Sequence, residues 1–131
     1  MKRIHLILYV ADQARATAFY AAVFARAPDL DVPGMTEFHL GTGAVVGLMP
    51  AAGIRRLLGP GLPDPASGAG IPRAELYLVV DDATDCHRRA LAAGATELSP
   101  LQARDWGARV AYSLDLDGHV LAFAEELPTA E

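Results

Sequence analysis

Apolar and polar residues alternate with a period of two in several stretches of this chain, and between these stretches the apolar residues recur at helical spacing. Residues 4–12 read Ile-His-Leu-Ile-Leu-Tyr-Val-Ala-Asp, and residues 74–82 read Ala-Glu-Leu-Tyr-Leu-Val-Val-Asp-Asp. Both are rich in branched and aromatic residues, as strands are. Each ends in an aspartate placed to cap a helix, Asp12 in one copy and Asp82 in the other. Ala16, Phe19, Tyr20, Val23 and Phe24 then predict the buried face of a helix that Pro28 closes. In the second copy Ala83, Cys86, Ala90 and Leu91 line one face, and Gly94 is the expected C-terminal glycine. Sliding the chain by 70 positions lays His5 on Glu75 and Asp12 on Asp82. The chain is therefore an internal repeat.

Strand-like runs follow each helix. Met35–Leu40 and Ala44–Met49 flank Gly41-Thr42-Gly43, a hairpin turn, and Val110–Leu114 and Val120–Ala124 flank the turn from Asp115 to His119. Weaker strands are expected near Asp29–Val32 and Thr96–Leu98. The predicted fold is α+β: two β-α-β-β-β modules, about 1–50 and 73–127, forming a curved mixed sheet around a concave cavity. A Gly/Pro-rich surface linker or lid at 50–73 joins them, and residues 127–131 form a frayed tail. One helix covers only one face of its sheet, so the other face supplies the concavity, the default ligand site.

Strand alternation places His5, Ile7 and Tyr9 on one face with Glu75, Tyr77 and Val79. Val45, Gly47 and Met49 join that face, as do Val120, Ala122 and Ala124. Such a wall, mostly apolar with a few polar groups, suits an organic ligand. His39, on the opposite strand face from Phe38 and Leu40, is a further candidate.

Composition narrows the partners. With 131 residues the chain is of single-domain size, and 52% hydrophobic against 21% charged residues describes a globular protein. A net charge of −5 with scattered Lys and Arg argues against nucleic acid. No apolar run reaches the roughly 18 residues of a membrane span. Lys2-Arg3 precedes an apolar run, but Asp12 ends it without a cleavage site, so it reads as a first strand and the expected location is cytoplasmic. The lone Cys86 excludes an internal disulfide.

The run from His5 to Asp12 followed by Ala18-Phe19-Tyr20, the Asp115–His119 turn, and Trp106-Gly107 together resemble the vicinal-oxygen-chelate superfamily: glyoxalase I, bleomycin-resistance proteins, fosfomycin-resistance enzymes and extradiol dioxygenases. The resemblance covers nearly the whole chain. It implies metal-ligand positions at His5, Gly47, Glu75 and Ala122; glycine and alanine carry no donor atom, so two of the positions are lost. The small residues there are expected to widen the cavity. The resemblance also puts the Trp106 loop beside the cavity mouth, with Arg109 able to meet a ligand carboxylate or to pair with Asp105. His119 is read as turn chemistry, and His87 as solvent-facing.

Three functions follow. The first is a metal-free protein that binds a small organic molecule, without any cofactor. The second is a glyoxalase-like lyase or isomerase, or a dioxygenase-type enzyme, using Ni, Co, Zn, Mn or Fe held by His5 and Glu75, a loose donor set. The third is a metal-free enzyme in which Glu75 or His5 is the catalytic base. A homodimer is the expected assembly, since relatives commonly form one.

Overall fold

Both strand–cap–helix patterns fold as their side-chain periods dictate. The structure is a computed structural model that describes residues 1–41 and 43–128. It divides into two units: Met1–Ala21 with Ala25–Ala69, and Ala22–Phe24 with Gly70–Glu131. Among the described residues no helix is long and apolar enough to cross a membrane.

The first unit carries β1 (Ile4–Val10), α1 (Gln13–Phe24), β2 (Leu30–Val32), β3 (Met35–Leu40) and β4 (Ala44–Pro50). Its sheet has the order β1-β4-β3-β2, with β1 parallel to β4 and the other pairs antiparallel. Leu8, Val10, Phe38, Val46 and Leu48 are buried on one face, together with Ala16, Phe19, Tyr20 and Val23 of α1. Each large apolar side chain so buried contributes roughly 1.5–3 kcal/mol. The Asp12 carboxylate accepts the Arg15 N–H at 3.0 Å, as a capping residue does. Gln13 and Thr17 of α1 both reach the fully buried Thr36 hydroxyl of β3, at 3.0 and 2.8 Å, which seats the helix on the sheet.

The segment expected as linker is more ordered in secondary structure than its Gly/Pro content suggests. It holds α2 (Ala51–Leu58) and a 3₁₀ turn at Pro65–Gly68. Pro50 directly precedes α2, Ile54 is its buried residue, and Arg55 pairs with Asp64 at 3.1 Å.

The second unit repeats the plan with β5 (Glu75–Val79), α3 (Ala83–Ala92), β6 (Thr96–Ala103), β7 (Ala108–Leu114) and β8 (Val120–Glu126), in sheet order β5-β8-β7-β6. Asp82 caps α3 through the Asp85 N–H, and Gly94 takes the positive φ that ends it. The buried face of α3 is Ala83, His87 and Ala90, with Cys86 half-buried at its edge. His87 is buried rather than solvent-facing. Its ring meets Phe123 edge-on at 6.4 Å, and its Nε2 lies 2.9 Å from Glu97 of β6. The weak strand expected near Thr96 runs the full length of β6. Leu127 still donates to the Gly107 carbonyl, so the ladder outlasts the expected start of the tail; 129–131 lie outside the described residues, as does Thr42 of the first hairpin turn.

The Asp115–His119 turn is built around one carboxylate. Asp115 accepts the N–H groups of Asp117 and His119 and sits 3.0 Å from His119 Nδ1, all buried or nearly so. The reading of His119 as turn chemistry therefore agrees with the structure.

Candidate functional site

Each sheet seats a helix on one face, α1 in the first unit and α3 in the second, and the predicted site residues divide between the two units. In the first unit His5, Ile7 and Tyr9 stand directly across from Val45, Gly47 and Met49 in parallel register. Glu37 and His39 stand across from Gly47 and Val45 on the other side. This face therefore carries His5, Tyr9, His39, Gly47 and Met49 together.

Its polar centre is Glu37. One carboxylate oxygen lies 3.6 Å from His5 Nδ1, and the other lies 3.3 Å from His39 Nε2. Arg3 donates its Nε–H to His5 Nε2 at 2.9 Å. An arginine cannot accept, so His5 Nε2 is the acceptor of this pair. Nδ1, 3.6 Å from the Glu37 carboxylate, lies beyond hydrogen-bond distance of it. Gly47 does not leave a hole: a Cβ there would lie 3.2 Å from Ile7 Cγ1 and 3.4 Å from Met35 Sδ, so these side chains close over it.

In the second unit Glu75, Tyr77 and Val79 of β5 pair with Val120, Ala122 and Ala124 of β8. Tyr112 of β7 pairs with Ala122 from the opposite side, so two phenols flank one alanine. Ala122 is fully buried within a patch of Ala108, Val110 and Ala124, against which Tyr112 packs. Ala122, like Gly47, is buried rather than facing open space. Trp106, 55% exposed, donates its indole N–H to the Tyr77 hydroxyl at 2.9 Å. Arg104 folds back over Tyr112, its guanidinium carbon 5.1 Å from the ring centroid. Burial pushes the Tyr112 phenol above its usual value, the Glu75 charge pushes the same way, and Arg104 opposes both.

Arg109 does not join this face. It belongs to β7, where alternation puts it with Ala111 and Ser113, opposite to Val110 and Tyr112, and it makes no ion pair with Asp105 among the described residues. Tyr112, Arg104 and Glu37 are the residues that sequence reasoning passed over. The period-two signal in Val110–Leu114 marks Tyr112, whereas the return of Arg104 over its ring has no local signature. A separate groove of about 660 Å³ lies outside α1 beside β2, lined by Asp12, Gln13, Thr17 and Asp31 among others.

The chelated divalent ion of the resembled superfamily can be tested against this donor set. Gly47 and Ala122 have no donor atom, His5 Nε2 is taken up by Arg3, and Glu75 is the one remaining carboxylate at those positions. No cluster of three His, Cys, Asp or Glu among the described residues is arranged to hold a metal ion. The residues present do not fit that ion.

No curated protein matches the chain. Solved structures do. A glyoxalase-related enzyme from Fulvimarina pelagi superposes with a TM-score of 0.80 at 21% identity, covering 96% of this chain and 89% of that one. A glyoxalase/bleomycin resistance protein/dioxygenase family enzyme from Burkholderia phytofirmans PsJN gives 0.79 at 20% identity, covering 94% and 97%. A glyoxalase/bleomycin resistance protein/dioxygenase from Nocardioides gives 0.77 at 21% identity, covering 100% and 86%. At such identities the likeness concerns the fold: α+β, with two four-stranded mixed sheets and three helices. The repeated β-α-β-β-β plan has its counterpart in sequence, where residues 2–123 match the superfamily, and the chain belongs to the Glyoxalase/Bleomycin resistance protein/Dioxygenase superfamily.

Proposed function

We propose that this chain binds a small organic molecule against the face of its second sheet opposite α3, and that it does so without a metal. The observation that carries this reading is the Trp106–Tyr77 hydrogen bond, which holds two large, partly exposed rings beside a floor of small buried residues around Ala122. Aromatic walls over small residues, with a few charged groups at the margin, are the make-up of a ligand face. The superfamily name itself spans enzymes and a resistance protein, so membership alone selects no reaction. Assembly as a homodimer in the cytoplasm belongs to the same proposal, and light scattering of the purified chain tests the first half.

The binding experiment is a thermal-melting screen of small organic compounds on the full chain and on Trp106→Ala. A compound that binds only the folded state adds about 2.7 kcal/mol of stability at a hundredfold excess over its Kd. Shifts that vanish in Trp106→Ala support the reading; shifts indifferent to that substitution move the site elsewhere. A parallel arm with Ni²⁺, Co²⁺, Zn²⁺, Mn²⁺ and Fe²⁺ tests the metal-dependent alternative. A shift lost in both His5→Ala and Glu75→Ala would restore it.

A further inference from the structure

The face of the second sheet opposite α3 carries two charges that the described residues leave without a counter-ion. Glu75, exposed at the start of β5, makes no side-chain hydrogen bond or ion pair among the described residues. Arg104 is partly buried, yet every acceptor it meets is neutral: Ser99 Oγ at 2.7 Å, the Val110 carbonyl at 2.8 Å and Gln102 Oε1 at 3.4 Å. Its Nε–H is buried with no acceptor at all. A lone exposed carboxylate is ordinary. A half-buried guanidinium planted on an aromatic ring without a carboxylate is not, because both its charge and its unmade hydrogen bond are costly.

Both charges act on one place. Tyr77 and Tyr112 flank Ala122, Glu75 lies two residues along β5 from Tyr77 on the same strand face, and Arg104 lies over the Tyr112 ring. A purely cationic ligand on this face would meet Arg104, and a purely anionic one would meet Glu75.

Resting on the binding reading above, we propose that the ligand is a zwitterion. Its ammonium lies against Glu75, its carboxylate against Arg104, and its flat or apolar body lies across Tyr77, Tyr112 and Trp106. Aromatic amino acids and similar amphoteric compounds are the simplest members of this class. Arg104 and Glu75 then set specificity by charge placement, and the aromatic rings supply contact area.

Trp106 is the only tryptophan, so its emission reports this face directly. The full chain is titrated with phenylalanine, phenylalaninamide, N-acetylphenylalanine and 2-phenylethanol, which share a ring and differ in charge. Phenylalanine is expected to bind about tenfold more tightly than either singly charged analogue, the effect of one charge-assisted contact each. Glu75→Gln should bring phenylalanine and N-acetylphenylalanine to the same level, weakening the first by loss of its ammonium partner and tightening the second by relief of repulsion. Arg104 also ties Ser99 to the Val110 carbonyl, so the Glu75 arm, at an exposed position, carries the test. Phenylalanine binding no tighter than a singly charged analogue overturns the proposal, as does the lack of any Trp106 response up to the solubility limit. If the melting screen yields Trp106-dependent ligands while the charge series shows no preference, the zwitterion assignment falls and the binding function stands. If neither set binds, both fall.

Discussion

A Cβ placed on Gly118 would lie 2.7 Å from the carbonyl carbon of Gly70. The turn between β7 and β8 thus packs directly on the backbone that leads into β5, and Gly70 N–H donates to the Asp117 carbonyl at 3.1 Å across the same contact. Gly118 also has φ +90°. Gly118→Ala should therefore cost about 2–4 kcal/mol, the sum of a left-handed penalty and an overpacked contact. Gly70→Ala has the positive φ but open space around its Cβ, and should cost about 1 kcal/mol. Urea denaturation of the two variants checks the difference.

Ala25 should be improvable. It ends α1 at φ +54°, where Arg26 N–H returns to the Ala21 carbonyl, and the second unit ends α3 the same way with Gly94 before Ala95 N–H returns to Ala90. Only the first copy places a side chain in the left-handed region. Ala25→Gly is expected to stabilise by about 0.5–1 kcal/mol, a rise of roughly 2–4 °C in Tm. An unchanged or lower Tm would contradict the strain argument.

Asp115 satisfies three donors at once, two backbone N–H groups and the His119 ring. Asp115→Ala strands them in a buried site and should cost about 3–5 kcal/mol. Asp115→Asn, which keeps an oxygen for the backbone donors, should lose less. Melting curves of the pair distinguish acceptor loss from general disruption of the turn.

The acid limb of stability should report Asp29. Its carboxyl is held below the usual value near 3.8, first by the hydrogen bond it accepts from the His39 backbone N–H at 2.7 Å, and also by the Arg26 charge. A depressed folded pKa means the stabilisation is present above the unfolded value and is lost as pH falls through the folded one. Stability should therefore drop as pH falls below about 4, and Asp29→Asn should flatten that limb while leaving the profile from pH 5 to 8 parallel to wild type.

Tyr112 sets the opposite limb. Its raised folded pKa keeps the neutral phenol favoured, so its contribution is full below pH 10 and is lost as pH rises further. Tyr112→Phe should remove that component of the alkaline loss. A profile identical to wild type above pH 10 would show that the phenol does not titrate within this packed face.

Much of this fold lies in local pattern. Asp12 and Asp82 cap because an aspartate before a helical run satisfies free N–H groups wherever the chain goes. Gly94 ends α3 because its backbone tolerates the positive φ. Other features have no local signal. The Gly and Pro content of 50–73 hides α2, whose first residue follows Pro50 and whose third is Gly53. His87 sits among charged neighbours, yet a ring edge from Phe123 and a carboxylate from Glu97 draw it inward. In sequence Arg109 follows the Trp106 loop closely, but β7 starts at Ala108, and strand parity then turns Arg109 away from Tyr112.

By itself the sequence determined the repeated β-α-β-β-β plan, the caps and turns, and which strand residues share a face, because period and backbone preference act over a few residues. Tertiary structure decided what those faces present. It closed Ile7 and Met35 over Gly47, joined Trp106 to Tyr77 across 29 positions of chain, and bent Arg104 back over Tyr112. Such contacts depend on strand register and on side chains brought together from distant positions, and no local pattern encodes them.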